Sequence, residues 1–163
     1  MAAPQAVRLT APPALRADLD RSRALNALTA ATAYAAALVP FCLLDFTWLG
    51  VMGPRLYKPA LGDMVAASPR LAPAIVFYLL YLAGLVYFAV RPALADGGWR
   101  VALLNGAFFG LVTYATYDLT NQATLRIWSV KVTILDLAWG ASVSAAAATV
   151  SFVVTAWTNR AVG

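Results

Sequence analysis

The residues best equipped for chemistry are a few carboxyls, phenols and indoles set into apolar surroundings. The stretch Tyr114–Thr124, YATYDLTNQAT, places Asp118 and Asn121 beside Tyr114, Tyr117 and several threonines at the end of an otherwise apolar segment. Asp45 in LLDFTWLG and Asp136 in ILDLAWG are each followed three residues later by a tryptophan, Trp48 and Trp139. On a helix, residues three apart lie on neighbouring faces, so an indole N–H can donate to a carboxylate or its ring can cover it. Tyr78 and Tyr81 carry two more hydroxyls in mid-segment and need partners there.

The same inventory narrows what this chemistry can be. There is no histidine or glutamate and only one cysteine, Cys42, so the commonest general base, the commonest haem ligand and any Cys-based zinc cluster are missing. No HExxH, Gly-rich phosphate loop, GxSxG or DDxxD pattern is present, and no cofactor is expected. An Asp–Tyr pair leaves acid–base catalysis open, with no catalytic residue assigned. A metal held by the three aspartates and Asn121 has no spacing rule behind it, and none is expected.

These residues must be positioned by membrane helices. Of 163 residues, 62% are hydrophobic and 12% charged, whereas soluble domains carry about a quarter charged residues. Four windows lack formal charge: Ala24–Leu44, Leu71–Val90, Val101–Tyr117 and Leu137–Asn159. About 20 helical residues cross a hydrocarbon core of about 30 Å, and helices satisfy their own backbone polar groups. The expected fold is all-α, a four-transmembrane-helix bundle, with helices at about 26–52, 71–90, 101–121 and 132–158 in a membrane domain of residues 25–160. Residues 1–24 read as a polar, flexible tail. The first apolar run is too long for a cleaved signal peptide, and Pro40 within it is expected to kink the helix.

Helix directions then gather the polar residues. In alternating helices, the end of the first, the end of the third and the start of the fourth share one side of the membrane, which places Asp45, Asp118 and Asp136 in one leaflet. On the third helix Gly106, Gly110, Tyr114, Tyr117 and Asn121 fall within an arc of about 80°, so the GxxxG face and the polar face coincide. On the fourth, Asp136, Gly140, Ser144, Ala147 and Ser151 form a small or polar stripe. A charged Asp at mid-helix costs about 2.5–3.5 kcal/mol on insertion scales, so the three should face one another, water or cations. The structural alternative is that they cap helix ends and cross-link helices, with Arg126 or Lys131 reaching in.

The net charge of +5 comes from twelve basic residues scattered over loops and tails, which argues against nucleic acid as a partner. Seven of the twelve fall on the side of the termini and the second connection, which by the positive-inside rule favours both termini in the cytoplasm.

The segments FCLLDFTWLG, RLYKPALGDM, FYLLYLAGLVYFAV, GAFFGLVTYATYDLTNQATL and ILDLAWG resemble DUF2177, a family of bacterial predicted membrane proteins with no established activity. The resemblance spans about Val39 to Val143. It implies that Asp45, Trp48, Tyr57, Tyr78, Tyr81, Tyr117, Asp118, Asn121 and Asp136 stand at motif positions. It also implies a bacterial inner-membrane location and points toward lipid modification. Three functions follow as expectations. The first is binding of a small molecule or lipid by Asp45, Trp48, Tyr78, Tyr81, Tyr114, Tyr117, Asp118, Asn121, Asp136 and Trp139, with ring faces taking an apolar body and Asp and Asn a polar head. The second is a proton- or cation-coupled transporter, which with four helices requires a homodimer. The third is a structural subunit of the bilayer whose GxxxG face binds a partner helix.

Overall fold

The computed structural model describes residues 13–66 and 68–162, with side-chain surroundings from residue 26 onward apart from Asp96 and Val162. The described residues contain helices and turns and no strand. Helix α1 (Pro13–Met52) continues through Pro40, so the proline does not end it. It begins well before the expected start. The segment expected as part of a flexible tail is therefore helical from Pro13 on, while the rest of that tail, residues 1–12, lies outside the described residues.

What reads as a loop after α1 is mostly helical. A π-helical turn (Gly53–Tyr57), a short α2 (Lys58–Leu61) and a 3-10 turn (Gly62–Met64) follow one another. Pro54 and Pro59 lie within this continuous helical run, where each removes one backbone N–H donor, and Pro54 stands where α1 passes into the π-helical turn. Gly62, at φ 54°, supplies the left-handed step that stops α2. Leu56 is buried, which ties this segment down.

Helix α3 (Leu71–Leu85) runs directly into a second π-helical turn, Val86–Val90. A third, Ala93–Gly97, and Gly98 at φ 68° turn the chain into α4 (Gly98–Thr124). Residues 125–129 connect it to α5 (Val130–Val162).

Helix α5 is central, packed along α4 on one side and α1 on the other. Against α4 the contact is backbone on backbone. A Cβ placed on Gly106 would lie 2.7 Å from the Ser144 carbonyl oxygen, one on Gly110 would strike the Gly140 carbonyl, and one on Gly140 would strike the Tyr114 ring. The small residues of both helices are therefore required by the approach itself. Against α1, Ala33, Ala37, Phe41 and Asp45 form a buried stripe at four-residue spacing. The Ser151 hydroxyl donates to the Ala33 carbonyl over 2.7 Å, and Thr29 donates to Asn159 over 3.0 Å. Leu82, Leu85, Ala89 and Val90 close the apolar core from α3 and its π-helical turn.

Large apolar side chains cover the outside: Leu43, Phe46, Leu80, Phe108 and Trp157 are all more than half exposed. Together with buried polar residues, this is the pattern of a protein solvated by lipid. Among the described residues three segments are long and apolar enough to cross a membrane: Asn26–Met64, Leu71–Val90 and Val130–Ala161. Helix α4, at 27 residues, has the length but carries the polar stretch Tyr114–Thr124.

Candidate functional site

At the end of the bundle where α1 finishes and α5 begins, the two Asp-x-x-Trp segments meet. The Trp48 and Trp139 rings are stacked, with centroids 4.4 Å apart and planes 7° from parallel. Trp139 serves the opposite helix directly and Trp48 serves it through Tyr57. Trp139 Nε1 donates to Asp45 Oδ1 over 3.1 Å. Trp48 Nε1 donates to the Tyr57 hydroxyl over 2.8 Å, and that hydroxyl donates to Asp136 Oδ1 over 2.6 Å. Tyr78 completes Asp45 with a hydroxyl 2.6 Å from Oδ2. Asp45 and Asp136 are 4% and 6% exposed, so in hydrocarbon these neutral donors are what make their burial tolerable.

Local structure explains how each donor arrives. The stripe Ala33–Ala37–Phe41–Asp45 carries Asp45 onto the α5-facing side of α1, and Trp48, three residues on, flanks it. Tyr57 closes the π-helical turn after α1. Tyr78 sits in the second turn of α3, with its ring edge-on to Phe41 and Phe46.

Deeper in the bundle, the Tyr81 hydroxyl and Ser144 Oγ share a hydrogen bond of 2.6 Å, and Thr113 Oγ1 donates to Tyr81 over 3.3 Å. Both tyrosines read as needing partners thus have them. The Tyr114 ring covers Gly140 and stands edge-on to Tyr81.

Asp118 differs from the other two carboxyls. It is 0% exposed, and neither carboxyl oxygen has a hydrogen-bond partner. The Gly106–Ser144 and Gly110–Gly140 contacts fix α4 and α5 as antiparallel neighbours. That register sets Tyr114 level with Asp136 and Asp118 level with Val132, so the two aspartates are one helical turn apart, about 6 Å along the axis. Because Cα–Cβ bonds tilt toward a helix's own N-terminus, the two side chains lean toward each other.

Of the residues singled out in the sequence, Asp45, Tyr78 and Trp139 form one hydrogen-bonded group and Trp48 and Asp136 belong to a second, and the Trp48–Trp139 stack joins the two into one network, with Tyr81 and Tyr114 beneath it. Tyr117 is 60% exposed and packs edge-on against Trp128, and Asn121 is half-buried. Arg126 and Lys131 are exposed, and the donors that reach Asp45 and Asp136 are neutral phenol and indole groups. Tyr57 joins the network and Thr113 bonds to Tyr81 although the residue pattern alone singles out neither, while Ser144, the other partner of Tyr81, stands on the small or polar stripe of α5. Only the family resemblance pointed to Tyr57. A shallow, open hollow of about 320 Å³ lined by Tyr87, Phe88, Arg91, Pro92 and Ala95 lies at the opposite end of α3.

A family model described as predicted membrane protein (DUF2177) matches residues 30–153. Comparison with curated proteins and with solved structures returns no match. The matched span runs from the first half of α1 to the last third of α5 and takes in every residue of the network. The chain belongs to the DUF2177 family of predicted membrane proteins.

Proposed function

We propose that this protein is a four-crossing membrane protein whose polar end, within one leaflet, binds the polar head of an amphipathic small molecule or lipid. The observation that carries this reading is Asp118, a wholly buried carboxyl with both oxygens unpartnered, set beside a cluster of carboxyls walled by tyrosine and tryptophan. Native proteins pair nearly all buried polar atoms, and the rare exceptions concentrate where water, an ion or a ligand belongs. Aromatic walls with a few oriented polar groups suit a ligand with an apolar body. In this reading α4 is the fourth crossing, the membrane is the bacterial inner membrane and both termini face the cytoplasm. Participation in lipid modification is one role such a site would fit.

The test is native mass spectrometry of the protein purified in mild detergent, alongside Asp118→Asn and Asp136→Asn. The expected outcome is a defined small molecule or lipid bound to the parent and lost from both folded variants. Retention of the same ligand by both variants would sink the assignment.

A second reading, a structural subunit, is favoured by one specific observation. Asp45 and Asp136 are already satisfied by donors from other segments, so the network links α1, α3 and α5. Variants that bind nothing and instead lose the fold would favour it.

A further inference from the structure

The end of the bundle gathers three carboxyls, Asp45, Asp118 and Asp136, and supplies them only with neutral donors or, for Asp118, with none. The cationic residues nearest to them in sequence, Arg55, Arg126 and Lys131, are exposed. Resting on the binding function proposed above, we infer that the ligand carries a primary ammonium group, which sits between Asp118 and Asp136.

Charge, hydrogen-bond count and the aromatic surroundings all favour that group. A carboxylate accepts up to four hydrogen bonds, and an ammonium offers three N–H donors. Tyr57 occupies Oδ1 of Asp136, while both oxygens of Asp118 are free. The α4–α5 register and the opposed tilt of the two Cα–Cβ bonds incline the carboxyls toward each other along the helix axis. Charge-assisted N–H···O bonds are roughly twice as strong as neutral ones, and an ammonium within about 6 Å of a ring face gains cation–π attraction from Tyr or Trp.

Two simpler occupants fit less well. Among the described residues no group of three or more acidic, Cys or His side chains is placed to hold a metal ion. A proton alone supplies one donor to be shared by the two carboxyls, where an ammonium supplies three. An alcohol or amide head group would satisfy hydrogen bonds but not the excess of carboxyls.

The experiment measures binding to the full chain in maltoside micelles by native mass spectrometry. Dodecylamine is compared with dodecanol, and with butylamine as a free amine lacking a tail. The expected result is that dodecylamine binds at least tenfold more tightly than dodecanol, and that Asp118→Asn removes most of this preference. If butylamine matches dodecylamine, the ammonium comes from a free amine. If only dodecylamine binds, it comes from a lipid or other tailed molecule. Both results support the ammonium site. Equal binding of dodecanol and dodecylamine, unaffected by Asp118→Asn, would overturn the inference and leave an amphipathic site standing. Binding of none of the three would remove both. The dodecylamine-to-dodecanol comparison needs only the parent protein, so it decides the matter even if the variant fails to fold.

Discussion

Tyr57 is the most economical residue of the network, because one hydroxyl accepts from Trp48 and donates to Asp136. Replacing it with phenylalanine leaves both partners unmatched, the Trp48 N–H and the Asp136 carboxylate, whereas Trp48→Phe removes one hydrogen bond and keeps an aromatic ring against Trp139. Interhelical hydrogen bonds in membranes contribute about 0.5–1.5 kcal/mol each. Tyr57→Phe should therefore destabilise the protein by about twice as much as Trp48→Phe in reversible detergent unfolding, and equal losses would show that the bridge contributes little. On Asp45 the two donors share one carboxylate. A double-mutant cycle of Tyr78→Phe and Trp139→Phe should thus show coupling of at least about 0.5 kcal/mol. The aspartates and tryptophans were legible in the sequence because ionisable and indole groups inside apolar windows demand partners. Tyr57 was not. It stands in what reads as a Pro- and Gly-punctuated loop, and nothing in residue spacing shows that a π-helical turn swings it back over the bundle.

At the scale of the helices, the α4–α5 contact rests on absent side chains. Gly110→Val would drive a branched side chain into the Gly140 backbone and should cost about 2–3 kcal/mol, read as loss of thermal stability or of the folded monomer. Gly50 is the control, since a Cβ there meets nothing within 4 Å. Gly50→Ala should be neutral or stabilising by up to about 1 kcal/mol, because alanine loses less freedom in a helix. A Gly110→Val protein as stable as the parent would mean that the helices separate easily. The GxxxG face and the small-residue stripe of α5 were both readable from period and residue size, and they fold against each other. The turns between helices were not, since a π-helical turn differs from an α-helical one by a single residue and leaves no compositional trace.

For the whole molecule, the arrangement proposed here sets the connection after α1 and the connection after α4 on one side and the connection after α3 on the other. In a Cys42→Ala background, single cysteines at the exposed positions Met64 and Gln122 should react with an impermeant thiol reagent from the same face, and one at Ala95 from the opposite face. Equal labelling of Ala95 and Gln122 from one face would mean that α4 does not cross. In the orientation proposed above, with both termini in the cytoplasm, Ala95 faces the inside of the cell. The stacked pair at the polar end also has a spectroscopic consequence. With five tryptophans in the chain, an NMR spectrum contains five indole N–H signals, few enough to assign by single substitutions. Trp48 and Trp139 alone lie face to face, so each signal is displaced by the other's ring current, and both protons, held by Tyr57 and Asp45, should exchange slowly with deuterium. Those two resonances would report from within the bilayer whether α1 and α5 are latched together or have parted.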